Sequence, residues 1–425
     1  MNSPRPFVPA LSRRSFLKQS LAAGLAPLVV PGRVLGLDGG VAPSNRIVMA
    51  GLGIGGRGGS DLATMIHEPD VQFVAIADVR AARRQAVKQV IDQKNGDQGC
   101  AMYRDFRELL ARKDVDALLI ATGDRWHSLT SILAAKAGKD MYCEKPCSTN
   151  IADSLALGET MRRYGRVYQA GTQRRSVSNF IFAAELARSG KLGKLHTVHA
   201  NTLSPGTKLE WLPAEPEPDK DVCDWDLWLG PCPWRPYNSA YVAGRWRNHF
   251  DFHGGGILEW GSHTIDLCQW ANRADTTAPV EYTPTPGGCE ARYANGVKLV
   301  MRETGWLGLG TCSVRYEGDE GWVETGDSGD VRVYPESLRS GVALKAQRGT
   351  HPGTHLREFL DCVKTRAQPS ANADVACQSH IASHAAYIAW QLGRKLSYDP
   401  VKNEFLRDEE ANRMRARGKR EPWRI

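Results

Sequence analysis

The sequence predicts an α/β chain: an N-terminal Rossmann-type, doubly wound dinucleotide-binding domain followed by an α+β domain with an open, largely antiparallel sheet. Three observations predict it. A cluster of glycines closes the first apolar strand, in "NRIVMAGLGIGGRGGSDLATMI". Strand-like and helix-like stretches then alternate over residues 46–172. From Glu290 onward the chain turns to short strand-like runs separated by Gly, Asp and Asn. A length of 425 residues is more than one ordinary core fills, so two domains are expected.

The first segment stands apart. "SRRSFLKQSLAAGLAPLVV" puts Arg13 and Arg14 before a short, weakly apolar run. That run is too short to span a bilayer comfortably, and it reads as a twin-arginine export signal plus linker over residues 1–40. It predicts a periplasmic or cell-envelope protein, handed folded to the twin-arginine export machinery. An uncleaved signal kept as an anchor is the alternative.

The domain over residues 45–172 follows. Two glycine fingerprints overlap, one using Gly51, Gly53 and Gly56, the other Gly53, Gly55 and Gly58. Such glycines allow a tight turn and bring a pyrophosphate close to a helix N-terminus. The second strand, "VQFVAIAD", ends in Asp78, about twenty-five positions on, where an acid can accept from ribose hydroxyls and favours NAD over NADP. Arg80, two residues later, keeps NADP possible. "AVKQVIDQK" and "FRELLAR" read as helices, "VDALLIAT" as a buried strand, "HSLTSILAAKAG" as a helix and "KDMYCEKP" as a strand end. A helix "IADSLALGETMRRYG" and a strand "RVYQAGT" complete the alternation. Asp78, Thr122, Lys145 and Gln173 all fall at strand carboxyl ends, where such sheets bind ligands.

Residues 173–400 make the second domain, with 401–425 as a tail. "NFIFAAELARSGKLG" is a helix and "KLHTVHANT" a strand; the tryptophan-rich stretch 204–250 is irregular. A glycine run then opens a helix in "HGGGILEWGSHTID". Glu259 and His263 stand at i,i+4 on one face, with Asp266 three residues further. An acid there could fix the tautomer of His263, which could then accept a hydroxyl proton. Arg174, Arg247 and Asp266 are candidate contacts to a sugar, and Trp225, Trp228, Trp234 and Trp246 could stack on a ring or merely order the loop. "THLREFLDCVKTRA" and "ADVACQSHIASHAAYIAWQLG" are amphipathic helices.

Other readings are narrower. The net charge is +8, but the basic residues are scattered and form no stripe of the kind nucleic-acid binding needs. Ten cysteines include no C-x-x-C pair. If any two pair, Cys223 and Cys232 in the tryptophan- and proline-rich loop are the first candidates, but free thiols are the better reading. His380 and His384 imitate a metal pair but lack a third ligand, so no metal is expected and a place on the helix surface or in the core is the better reading.

The motifs "DALLIATGDRWH", "GKDMYCEKP" and the glycine run leading to Glu259 and His263 resemble the glucose–fructose oxidoreductase / inositol dehydrogenase / MocA (Gfo/Idh/MocA) family, over nearly everything after residue 44. "VYQAGTQRRS" and "DWDLWLGPCPWRPYN" resemble its exported bacterial branch. The resemblance implies that Lys145 lies between nicotinamide and substrate. It also implies that Glu144, Lys145, Thr122 and His127 border the cofactor, and that the second domain's sheet builds a dimer or tetramer. It departs at Glu259, where the family usually has Asp. The implied activity is an NAD(P)-dependent oxidoreductase moving hydride between a sugar or polyol hydroxyl and a tightly held nicotinamide cofactor, with Lys145, His263 and Glu259 catalytic. An NAD-dependent glycosidase working by transient sugar oxidation is the alternative, although that branch departs from Glu-Lys-Pro by lacking the lysine. A periplasmic sugar-binding protein without turnover is the third reading.

Overall fold

The first sheet has six parallel strands: β1 (Ile47–Leu52), β2 (Val71–Ala77), β3 (Ala101–Tyr103), β4 (Ala117–Ile120), β5 (Asp140–Cys143) and β6 (Tyr168–Ala170). Their spatial order is β3-β2-β1-β4-β5-β6. The order reverses between β1 and β4, so the loops after these strands part and open a crevice at the carboxyl ends. Every residue of β4 and of β5 is buried, as a central parallel strand covered on both faces requires. The computed structural model describes residues 41–247, 249–303, 305–339 and 353–424. The expected twin-arginine leader, residues 1–40, lies outside the described residues.

Helices α1 (Gly56–Met65), α2 (Ala81–Asn95), α3 (Phe106–Leu110), α4 (Asp124–Lys136) and α5 (Ile151–Tyr164) alternate with these strands. Helix α4 begins three residues before the apolar pattern that predicted it. Gly123 caps it, and Asp124 is an acid in its first turn, where the helix dipole favours negative charge.

The second sheet has nine strands: β7 (Leu195–Thr202), β8 (Glu281–Thr285), β9 (Gly288–Arg292), β10 (Lys298–Glu303), β11 (Val314–Gly318), β12 (Gly321–Thr325), β13 (Val331–Tyr334), β14 (Leu396–Asp399) and β15 (Glu404–Phe405). Their order is β13-β12-β11-β7-β10-β9-β8-β14-β15. Only β7 and β10 run parallel; every other neighbouring pair is antiparallel. One face buries Val314, Tyr316, Val323 and Val333 in a core shared with α6 (Ser178–Arg188) and α8 (Gly256–Ala271). Arg315, Arg332 and Tyr334 alternate with these and stand less buried or exposed. From Ile47 onward the chain forms one compact unit.

Chain order and layers diverge near the end. Helix α9 (Gly353–Thr365) adds Leu356, Phe359 and Leu360 to the core that holds Met49, Phe73 and Leu119 of the first sheet. Helix α10 (Ala373–Leu392) lays Ala376 and Cys377 beside Leu157 and Met161 of α5. The tail also returns to the first sheet's helices: Trp423 packs 4.9 Å from Trp126 and 6.3 Å from Phe106, ring to ring.

Cys223 and Cys232, the first candidates for a bridge, are not bonded. All ten cysteines are free and buried. Cys223 forms a backbone bridge with Arg80, whereas Cys232 donates its thiol to the carbonyl of Asp251 at 2.9 Å, beyond the short helix α7 (Trp225–Leu229). The His380/His384 pair is core. His380 accepts from the Cys147 N–H at 3.1 Å and faces the Ala376 carbonyl at 2.6 Å, and His384 Nε2 meets Ser148 Oγ at 3.1 Å. Burial pushes the His380 imidazole down to about 4. The two rings fasten α10 to the turn that presents Lys145.

Candidate active site

A cavity of about 550 Å³ runs along the carboxyl ends of the first sheet and under residues 242–247. The glycines at its closed end divide the work. Gly53 has φ +64°, and a Cβ there would stand 2.6 Å from Thr122 Cγ2, so only glycine makes this turn beside the loop after β4. Gly58 faces Ala121: an added Cβ would approach its Cβ to 2.5 Å, which is how α1 packs close to the sheet. A Cβ at Gly55 or Gly56 would meet nothing within 4 Å. That open space lies at the N-terminus of α1, where unpaired N–H groups favour an anion. The fingerprint Gly53–Gly55–Gly58 is therefore the one the backbone uses, whereas Gly51 sits within β1 against Ile54.

Asp78 closes the next stretch of wall. Its Oδ1 accepts the Arg80 N–H at 2.9 Å. Burial raises its pKa, against the pull of the Arg80, Arg83 and Arg84 charges. Arg80 spends its guanidinium on the Val242 carbonyl at 3.2 Å, tying this end of the cavity to the tryptophan-rich segment. Thr122 borders the cavity with its hydroxyl buried and unpartnered. His127 sits between two turns, its ring nitrogens 2.8 Å from the Pro146 carbonyl and 3.0 Å from that of Thr122. The open glycine cradle, the orphaned Thr122 hydroxyl and the acid at the end of β2 together fit a dinucleotide.

The other end gathers the reactive side chains. Glu144 lies on the floor, 3.5 Å from Arg57 Nε, with Arg57 also paired to Asp61 at 2.9 Å. Burial, with Glu144 beside it, pushes the Asp61 carboxyl up to about 8. Lys145 extends its ammonium to Glu259, 3.1 Å from Oε1 and 3.1 Å from the backbone carbonyl. The other carboxylate oxygen, Oε2, is 3.1 Å from Nε2 of His253. Burial raises the Glu259 pKa, but the Lys145 charge and the His253 hydrogen bond outweigh it and hold the carboxyl well below its usual range.

His263 borders the same cavity without touching that acid. Its Nε2 lies 2.8 Å from Nη1 of Arg174, which can only donate, so in the neutral ring the proton is on Nδ1, which is buried and unpartnered. Burial first, and then the charges of Arg174, Lys145 and Arg57, keep this imidazole well below its ordinary pKa and hence neutral. Arg174 is itself gripped by Asp327 through two hydrogen bonds of 3.2 and 2.8 Å. The expected Glu259–His263 orientation is thus corrected: each side chain has a nearer partner, and Arg174 sets the His263 tautomer.

Of the residues singled out from sequence, Gly53, Gly55, Gly56, Gly58, Asp78, Thr122, His127, Glu144, Lys145, Arg174, Arg247, Glu259 and His263 all border the cavity. Asp266 does not. It is fully buried on α8, clasped by Arg175 at 2.6 and 2.9 Å, so its carboxylate is spent on an internal ion pair away from the cavity. Sequence reasoning passed over His253, Arg57 and Arg125. Arg125 stacks 3.7 Å over Trp228 and donates to the Trp228 carbonyl, which fixes the roof. The signal for His253 was its place directly before the three glycines.

Comparisons with known proteins agree with this architecture. Residues 45–172 match the family model described as "Oxidoreductase family, NAD-binding Rossmann fold", and residues 206–425 match "Oxidoreductase family, C-terminal alpha/beta domain". A myo-inositol 2-dehydrogenase of Thermotoga maritima is 32% identical over 160 residues, 38% of this chain and 46% of that protein. An alpha-N-acetylgalactosaminidase of Shewanella oneidensis is 31% identical over 147 residues, 33% of this chain and 31% of that protein. The chain therefore spans less than half the length of these curated relatives. Among solved structures, the WlbA dehydrogenase of Bordetella pertussis, in complex with NADH and UDP-GlcNAcA, shares the fold at TM-score 0.60 and 18% identity, over 83% of this chain and 99% of that one. The aldose-aldose oxidoreductase of Caulobacter crescentus does so at TM-score 0.59 and 17% identity, over 83% and 99%. With both family models matched in order, and the glycine turn and the Glu144–Lys145–Pro146 turn meeting in one cavity, the chain belongs to the Gfo/Idh/MocA oxidoreductase family.

Proposed function

We propose that the protein oxidises a sugar or polyol hydroxyl, or reduces the matching carbonyl, using a tightly held NAD. One observation carries the reading: Lys145, Arg174 and His263 border the same cavity whose far end is the Gly53–Gly58 turn. When bound, the dinucleotide supplies a hydride acceptor. Gly55 and Gly56 leave room for the diphosphate at the N-terminus of α1, and Asp78 accepts from the ribose hydroxyls, which favours NAD over NADP. The substrate hydroxyl lies between Lys145 and His263. Lys145 steadies the negative charge that grows on that oxygen as the carbon loses hydride. The hydroxyl proton passes to Nε2 of His263, once the Arg174 Nη1–H now facing that lone pair is released from it. Arg247, stacked 4.7 Å over Trp246, contacts the far side of the sugar.

Export through the twin-arginine route rests on Arg13 and Arg14 and the run that follows. A homo-oligomer rests on the second sheet's other face, which presents Arg332 and the exposed Tyr334. The test is to purify the protein, count bound dinucleotide, and follow reduced-cofactor absorbance with a panel of sugars and polyols. Absence of any dinucleotide, with no turnover on adding NAD or NADP, rejects the proposal. The glycosidase alternative has the Shewanella relative in its favour. Release of an aryl aglycone with no net reduced cofactor would select it.

A further inference from the structure

We infer that His253 is a positioning residue that holds Glu259 so that Glu259 can pin the Lys145 ammonium in the cavity; this rests on the functional reading above. The glycine run is what allows it. Gly255 has φ +83°, and a Cβ on Gly256 would stand 2.0 Å from the Ser204 carbonyl, so neither position takes another residue without moving the backbone. The chain therefore doubles back, and His253 folds over the first turn of α8. There the Gly255 N–H donates to Nδ1 at 3.1 Å. Accepting at Nδ1 obliges the neutral ring to carry its proton on Nε2, which faces Glu259 Oε2 at 3.1 Å. No positive charge on the ring is needed for that donation.

The other groups around the ring agree. Asp124 Oδ2 stands 3.6 Å from the same Nε2, beyond hydrogen-bond distance, which leaves the N–H to Glu259. Arg417 Nη1 donates to the His253 backbone carbonyl at 3.0 Å, so the tail braces the residue from behind. Trp246 lies edge-on 5.8 Å away and shields it. His253 itself is 1% exposed and does not border the cavity, so it acts on substrate only through Glu259 and Lys145. The geometry also accounts for glutamate at this position. Its two oxygens divide between Lys145 and His253, 114 and 6 residues away in sequence, and the extra methylene supplies the reach.

Two substitutions separate positioning from simple helix capping. In His253→Asn, Oδ1 replaces Nδ1 and keeps the Gly255 N–H satisfied, but the donor to Glu259 is gone. In His253→Gln, Nε2 reaches as far as the imidazole Nε2 and keeps that donor. The first readout needs no substrate: the side-chain carboxyl ¹³C resonance of Glu259 in the holoprotein, assigned by its loss in Glu259→Gln. It should stay at its ionised position in wild type and His253→Gln throughout the folded pH range. In His253→Asn it should move toward its protonated position at the acid end of that range. The second readout is kcat against pH. His253→Asn should lose about 10- to 100-fold in kcat at similar KM, with its acid limb moved upward, and His253→Gln should recover most of it. An unchanged Glu259 resonance in His253→Asn overturns the inference. So does equal loss of activity and melting temperature in both variants, the mark of a cap alone. Should wild type turn over no sugar at all, the functional reading falls while the resonance still decides the role of His253.

Discussion

Lys145 and His263 are placed for different tasks, and their surroundings say which. Lys145 has an ion-pair partner, yet that partner leaves ammonium N–H capacity facing the cavity. On the proposed reading, removing it takes away the charge that would stabilise a developing alkoxide but leaves the cradle formed by Gly53, Asp78 and Thr122 intact. Lys145→Ala should therefore keep bound cofactor and lose about 100- to 1,000-fold in kcat. His263 is held neutral by burial and by the positive charges around it. A base already neutral across the working range predicts that kcat/KM shows no loss from His263 until the pH is well below the ordinary histidine value of 6.5. A pH–rate profile with an acid limb at or above 6.5 that disappears in a His263 variant would contradict this. Asp78→Ala should weaken NAD binding and narrow the preference over NADP, measured by titration of the apoprotein with each cofactor.

At the scale of elements, the sequence told most where one residue type has one physical use. The glycines after β1, the acid ending β2 and the Glu-Lys-Pro turn after β5 were legible because each does a job no other residue does as well. Pairing among side chains was not legible. Spacing correctly put Glu259 and His263 on one face of α8, but His253 and Arg174 come from other segments and take the partners that i,i+4 proximity suggested. Strand β8 escaped notice because "EYTPT" has Pro284 in it and little apolar alternation. Helix α9 reads correctly as amphipathic, whereas α10 is buried over most of its length, wedged between α5 of the first domain and α8, β8 and β9 of the second, and nothing in either pattern says which sheet it joins. Two stability predictions belong here. Gly58→Val must push α1 off Ala121 and should cost about 1–3 kcal/mol in urea unfolding, with loss of cofactor. Trp423→Ala empties the space between Trp126 and Phe106 and should cost about 3 kcal/mol or more, although the residue is third from the chain end.

For the molecule as a whole, buried titratable groups set the pH range of stability. Burial holds His355 and His380 down to about 4, and His263 and His384 well below their ordinary value. In the unfolded chain these imidazoles bind protons below about 6.5, while in the folded one they do not until about 4, so stability falls as pH drops through that window. Asp61, raised to about 8, and Asp78 and Asp266, raised by burial, act in the opposite sense, while His199 and His249, also lowered by burial, add to the other four histidines. Melting temperature should decline between pH 6.5 and 4, and a His380→Phe variant should lessen the slope; a flat profile would contradict the assignment. The central claim is that one cavity holds a dinucleotide at the glycine turn and a sugar carbinol beside Lys145 and His263. Its most direct test uses a sugar substrate deuterated at the reacting carbon and mass analysis of the protein-bound dinucleotide. Wild type should transfer deuterium to the nicotinamide ring, and Lys145→Ala should bind the same amount of dinucleotide yet acquire almost none. Equal labelling in both proteins, or a wild type that holds no dinucleotide, would contradict the account.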